Sequence, residues 1–314
     1  MERILVIRGG AIGDFLLTLP ALKTLRESRP DSHIEILGYK HIAEVTENRF
    51  YAQAVRSIEY GAFSRFFAKN LELPAELTRY FRSFDLIVTY LYDPDRIFET
   101  NLRRCGVRHL VCGPAKIVQT DGHAARQLAR PIEELGLRVV DLAEKIFLSD
   151  EDREFGRDFI HGLQKPLITV HPGSGSKEKN WPLRNWMALF SAQPAYDKER
   201  TSLIVVSGEA DTVETAQLED AWRNPNVRFA KNLPLPHLAA VLEHSIFIGH
   251  DSGISHLAAA AGANCVLLFG PTNPNLWAPR NQNVQVIRPR SGKIGDLEVA
   301  DVRAALTQTL ADSL

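Results

Sequence analysis

Residues 4–28 read ILVIRGGAIGDFLLTLPALKTLRES. An apolar run, Ile4 to Ile7, meets a glycine-rich turn, and the turn opens into a segment with leucines at helical spacing. Strand, tight turn and helix in that order form the opening unit of a doubly wound α/β sheet. Gly9, Gly10 and Gly13 let backbone approach a ligand closely. The dinucleotide fingerprint G-x-G-x-x-G would need glycine where Arg8 stands. The second strand also ends Leu37-Gly38-Tyr39, with no acid to hold a ribose hydroxyl, so no nicotinamide cofactor is expected. Asp14, at the start of the helix, reads either as an N-cap or as a carboxylate held for general-base work. The segment by itself favours the cap.

The same rhythm continues outward. Strands are predicted over 3–8, 33–37, 55–59, 85–89 and 108–112, with helices over 15–28, 40–48 and 122–135. It restarts with strands over 167–171, 202–207, 227–230, 246–249, 265–269 and 284–288. Helices are predicted between them over 184–192, 211–222, 236–243 and 255–261, and a last one over about 297–310. Two doubly wound parallel-sheet domains follow, residues 1–162 and 163–314, divided just before Pro166. Ligands of such sheets bind beyond the carboxyl ends of the strands, and a cleft between two such domains is the expected active site.

Composition narrows the function classes. The 314 residues carry a formal net charge of −1, with 45% hydrophobic and 24% charged residues. Nothing here is a nucleic-acid footprint. Of 23 basic residues before residue 163, 18 are Arg, which suits either solvated helix faces or a surface that meets an anionic acceptor. Cys105, Cys112 and Cys265 have no metal or redox spacing, consistent with a reduced, cytoplasmic protein. No run approaches the ~20 apolar residues of a membrane span.

Two further stretches carry chemistry. Residues 167–190, LITVHPGSGSKEKNWPLRNWMALF, run a strand into a Gly/Ser loop around Ser174 and Gly175, with Lys177 and Lys179 before a Pro182 helix entry. Backbone amides and one cation of this kind cradle phosphate, although the spacing is not that of a nucleotide-triphosphatase loop. Residues 246–274, IFIGHDSGISHLAAAAGANCVLLFGPTNP, run a strand into Asp251, Ser252 and Gly253 at a helix start. Helix N-termini bind phosphate through bare amides and the dipole. A nucleophile elbow would need Ser where Asp251 stands, so a hydrolase reading is set low. Glu209, just past the strand over 202–207, suits a ribose diol or a solvated loop equally.

Together these stretches resemble glycosyltransferase family 9, the ADP-heptose:lipopolysaccharide heptosyltransferases. The resemblance runs over nearly the whole chain, and the ordered set ILVIRGGAIGDFLLTLPAL, HPGSGSKEKNWP and DSGISHLAAAAG…LFGPTNP carries it. It implies the GT-B fold, two Rossmann-like domains with the donor held mainly by the second. It also implies that Asp14 is the catalytic base rather than a cap, and that Lys179 binds the diphosphate. Glu209 would bind the ribose, and Leu233 the adenine through its backbone. Asp251, Ser252, Gly253 and His256 would contact the donor sugar and diphosphate. Gly10 and Gly13 of the first turn and Ser174 and Gly175 of the second complete the expected donor site.

The reaction implied is inverting and metal-independent, with no cofactor. Its partners are an ADP-sugar donor and a lipid-linked or oligosaccharide acceptor, without nucleic acid. The protein would work in the cytoplasm, with contact at the inner membrane surface left open. Where family members often carry a Gln/Asn-Gly-Ser-like stretch, this chain has Tyr90-Leu91-Tyr92-Asp93-Pro94-Asp95, which leaves the acceptor open. Asp93-Pro94-Asp95 also spells D-x-D, but Asp-Pro reads first as a turn. The competing readings are a nucleotide-sugar epimerase or hydrolase of similar two-domain fold, a transferase with another donor or a protein acceptor, and a non-enzymatic binding module.

Overall fold

The computed structural model describes residues 1–191, 201–208 and 212–313. The chain divides into two compact units, Met1–Leu142 and Ala143–Leu314. Unit 1 holds β1 (Arg3–Arg8), β2 (His33–Gly38), β3 (Ala54–Ser57), β4 (Leu86–Thr89) and β5 (His109–Cys112). All neighbours run parallel, in the order β3-β2-β1-β4-β5. The winding reverses between β1 and β4, so the glycine-rich turn after β1 lies at the switch point. Leu5, Ile7, Leu37 and Ile87 feed one face of this sheet into a cluster with Phe63, Phe66, Phe81 and Phe98. Continuous apolar strands of this kind are what a sheet covered on both faces requires.

Unit 2 holds β6 (Leu167–His171), β7 (Ser202–Ser207), β8 (Val227–Lys231), β9 (Ile246–His250), β10 (Asn264–Leu268) and β11 (Val284–Ile287). They are parallel in the order β11-β10-β9-β6-β7-β8, the Rossmann arrangement with its switch point between β6 and β9. Trp181 and Trp186 are buried edge to face, ring centroids 5.1 Å apart, and the Trp181 indole donates to the Leu297 carbonyl at 2.9 Å. The tryptophan that follows the Lys177–Lys179 loop is thus an anchor that pins the loop to the core.

The sequence reading needs adjustment in three places. The first predicted helix is two, Ile12–Leu16 and Leu19–Ser28, with Pro20 in the opening turn of the second, where its missing amide is harmless. Helices Ala75–Arg82, Ile97–Arg104 and Asp150–Ile160 were not predicted, because few of their residues are apolar and buried. The division between units also falls at Leu142 rather than residue 162. The helix Asp150–Ile160 packs on Leu235–Leu242 of unit 2, with the Phe155 ring stacked on His237 at 4.0 Å and Arg153 paired to Glu243 at 3.3 Å. A Cβ on Gly156 would stand 2.8 Å from the Ala240 carbonyl oxygen, so only glycine allows this approach. Gly156→Val should therefore destabilise the protein by ~1–3 kcal/mol through overpacking, read as a lower urea midpoint. An unchanged midpoint would show that the two helices do not pack this closely.

Candidate functional site

In unit 2 the loop after β6 and the residues after β9 meet at the switch point. His250, the last residue of β9, is wholly buried and straps the two together. Its Nε2 accepts the Trp181 amide at 2.8 Å, and its Nδ1 faces the Gly173 carbonyl at 3.2 Å. A nitrogen facing an N–H must be bare and one facing a carbonyl must carry a proton, so the ring is the neutral Nδ1–H tautomer. Ser174 is tied down inside the loop, with its hydroxyl 2.6 Å from Asn180 Oδ1 and 2.8 Å from the Ser176 carbonyl. Above Gly175 nothing lies within 4 Å of where a Cβ would stand, so the loop's crest is open.

Lys179 reaches across the switch point. Its Nζ lies 2.7 Å from Asp251 Oδ2, and Thr272 donates to the same oxygen at 2.7 Å. Asp251 is buried, whereas the lysine is partly exposed. Ser252 is the N-cap of the helix Gly253–Ala261, and its hydroxyl makes no cap bond. That hydroxyl lies 3.4 Å from both His171 Nδ1 and Ser255 Oγ, while Ser255 donates to the His250 carbonyl. Among the described residues the Gly253 and Ile254 amides meet no acceptor. Two bare amides and a positive dipole end thus follow directly on the carboxylate that the lysine meets, a set of groups that suits an anion. His256, one turn further along, is buried with its Nδ1 2.8 Å from Glu144 Oε1. Leu233, half-buried, follows β8 by two residues, and the Asn232 amide ties that turn to the Ser207 carbonyl at 3.0 Å. Glu209 lies outside the described residues.

In unit 1 Asp14 is not an N-cap. Ala11 holds that position, and Asp14 stands three residues on, its Oδ2 accepting the Ala11 amide at 3.1 Å. Its carboxylate keeps two-fifths of its surface exposed. Buried Arg8 lies beneath, with Oδ1 3.9 Å from its guanidinium, which also donates to the Asp14 carbonyl at 2.9 Å. Burial lowers the Arg8 pKa, and the Asp14 charge opposes that shift. The Arg8 guanidinium also sits 5.6 Å from the centre of the Tyr90 ring. Gly10 has φ +97°, and a Cβ there would stand 3.0 Å from Asp14 Oδ2, so glycine leaves room for the carboxylate. Gly13 lies within the first helix, its carbonyl bonded to the Leu17 amide at 2.9 Å.

Asp93 is committed elsewhere. Its two carboxylate oxygens accept the Phe98 and Glu99 amides at 3.1 and 2.8 Å, capping the helix Ile97–Arg104. Among the described residues no group of three or more His, Cys, Asp and Glu side chains could hold a metal ion. No described helix is long and apolar enough to cross a membrane. Sequence reasoning missed Glu144 and Thr272. Thr272 lay inside the quoted GPTNP stretch, whereas Glu144 sits in a segment without periodic pattern and carried no signal.

Two parallel-sheet α/β units, one with a helix start of bare amides and a lysine at its switch point, fit the two-domain glycosyltransferase class. Residues 116–302 match the family model of glycosyltransferase family 9 (heptosyltransferase), and the chain belongs to that family. It is 23% identical over 299 residues to lipopolysaccharide heptosyltransferase 3 of Escherichia coli K12, covering 87% of this chain and 83% of that protein. Among solved structures, E. coli ADP-heptose LPS heptosyltransferase II is similar with a TM-score of 0.80 at 16% identity, over 100% of this chain and 99% of that one. An E. coli heptosyltransferase solved with ADP is similar with a TM-score of 0.72 at 17% identity, over 98% and 100% of the two chains.

The strap made by His250 has a measurable weight. His250→Phe keeps ring volume but strands the Trp181 amide and Gly173 carbonyl. Two buried groups without partners should lower unfolding free energy by ~2–4 kcal/mol. Calorimetry checks this, and a variant as stable as the parent would mean that the loop is held by other contacts.

Proposed function

We propose that this protein moves a heptose from ADP-heptose to a hydroxyl of a lipopolysaccharide-core or related acceptor, with inversion and without a metal ion. The observation that carries the reading is the cluster at the unit 2 switch point, with Lys179 on Asp251 and the bare amides of Gly253 and Ile254 just after it. A family relative solved with ADP supports a nucleotide diphosphate there. In the proposed reaction Asp14 accepts the proton of the acceptor hydroxyl. The oxygen forms its bond to the anomeric carbon as the bond to the diphosphate breaks on the opposite face. ADP leaves carrying the electron pair. Lys179, the loop over 173–175 and the helix start meet the charge that grows on it, as fixed donors often worth ~3 kcal/mol each. Glu209 would hold the ribose and the Leu233 backbone the adenine. The acceptor would be lipid-linked or an oligosaccharide, and the protein would touch the inner membrane surface only peripherally.

Incubation with ADP-heptose in excess EDTA, with and without lipid A-core fragments, tests the reading. Heptose should appear on the acceptor only when acceptor is present. Donor isomerised or hydrolysed equally fast without acceptor would replace transfer with epimerase or hydrolase chemistry. Activity restored only by Mg²⁺ would return a role to the acidic residues.

Asp14→Asn separates chemistry from capping. Asn can still accept the Ala11 amide but cannot take a proton at neutral pH. Melting temperature and ADP affinity should hold while turnover at saturating substrates falls by ~100-fold or more. Near-parental turnover would leave Asp14 a helix-stabilising residue and nothing more.

A further inference from the structure

The stretch Tyr90–Asp95, where this chain departs from the pattern of its family, has no place in the reaction as described. It leaves the sheet at the end of β4 and helps to wall a pocket of about 410 Å³ beyond the last residues of β4 and β5. Thr89, Leu91, Tyr92, Phe98, Cys112 and Gly113 are among its lining residues. The wall is tied down. Asp93 accepts the Phe98 and Glu99 amides, the Arg96 amide bonds to the Asp93 carbonyl at 3.1 Å, and Glu99 holds the Arg96 guanidinium at 2.8 Å. These bonds keep Arg96 at φ +54°, a left-handed conformation that a side chain disfavours. Tyr92 stays open on this fixed wall. It is 59% exposed, and the Lys116 ammonium lies 4.4 Å from the centre of its ring. Among the described residues Lys116 meets no carboxylate. A cation–π contact at an exposed site is weak and a lysine stem is flexible, so the ammonium can leave the ring for an anion.

The pocket adjoins the turn that carries Asp14. β1 and β4 are neighbours, with the Tyr90 amide bonded to the Ile7 carbonyl at 2.9 Å. Residues 90–92 therefore leave the sheet one strand spacing, about 4.8 Å, from the turn after Arg8. Leu91 closes the gap, since a Cβ on Gly9 would stand 3.7 Å from its Cδ2. A sugar ring spans about that spacing, so an acceptor whose hydroxyl meets the Asp14 carboxylate can lay its neighbouring ring in this pocket. An exposed aromatic ring packs on the C–H face of a sugar, and a cation beside it favours a sugar that carries negative charge. We propose that this pocket is an acceptor subsite in which Tyr92 packs on a sugar ring and Lys116 meets a carboxylate or phosphate on the same acceptor. The two residues bind and select the acceptor and take no part in the bond exchange. This rests on the reading of Asp14 as the base that faces the acceptor.

The test uses the full chain, ADP-heptose and lipid A-core fragments in three forms: untreated, with phosphates removed, and with carboxyl groups reduced to alcohols. On untreated fragments Tyr92→Ala and Lys116→Ala should each raise the acceptor KM about tenfold, the scale of one stacked ring or one charged hydrogen bond. Turnover at saturating acceptor should hold, as expected for a contact made equally in ground and transition states. Lys116→Arg keeps the charge and should keep most of the affinity. One of the two treatments should raise the parental KM to the level of Lys116→Ala, and on that form Lys116→Ala should lose nothing further. Which treatment does so names the anion. A parental KM indifferent to both treatments, a Tyr92→Ala variant with parental KM, or a loss confined to turnover overturns the proposal. ADP affinity should be parental in both alanine variants, and a loss there would place the two residues on the donor side and overturn it too. A parent that transfers no heptose would remove the transferase reading itself. Calorimetric titration with the same fragments then decides the pocket alone, and no binding, or equal binding by the parent and Tyr92→Ala, overturns the proposal.

Discussion

β6 and β9 lie side by side although β7 and β8 come between them in the chain, and this reversal of winding is the constraint on which the site in unit 2 depends. At such a point the loops leaving two neighbouring strands part, and a crevice opens at their carboxyl ends. Everything chemical in unit 2 grows from those two ends. The β6 side supplies Ser174, Gly175 and Lys179, and the β9 side supplies Asp251, Ser252 and the helix start. His250 and Trp181 keep the two sides in register, so the loop after β6 is fixed against the end of β9. Fixed polar groups of this kind need no rearrangement when charge develops, which is why they are effective in catalysis.

Unit 1 uses its own reversal differently. There the turn after β1 presents an acid, and the cation is placed underneath it rather than beside a ligand. Arg8 is buried against Tyr90 and gripped by the Asp14 carbonyl, so it cannot swing outward to meet an acceptor. Its work is to hold the turn, and the carboxylate alone remains exposed.

The sheet frame was legible because buried parallel strands are nearly continuous apolar runs. All eleven strands fall within two residues at each end of where the sequence puts them. The loops at the unit 2 switch point were legible for a related reason, since glycine, serine and lysine between strand and helix mark a turn whose amides and cation suit an anion. What stayed hidden depended on distant partners. Nothing near Asp150 says that its helix belongs with Leu235–Leu242, because Gly156 matters only once Ala240 lies against it. Glu144 carried no signal in the sequence, because the partner that marks it, His256, lies 112 residues away. Asp14 looked like an N-cap because an acid near a helix start usually is one, and only the backbone shows the cap one turn earlier, at Ala11.

The pairing of Lys179 with Asp251 bears on turnover. A lysine already neutralised by its own chain does not wait as a bare charge for the nucleotide. On the proposed reading, an arriving diphosphate competes with the carboxylate for the ammonium group, and a departing one is replaced by it. The carboxylate is therefore a tethered rival to the product, present at a high effective concentration. Such an arrangement lowers affinity for both donor and spent nucleotide. On that reading its kinetic benefit falls on release, the step that limits many enzymes.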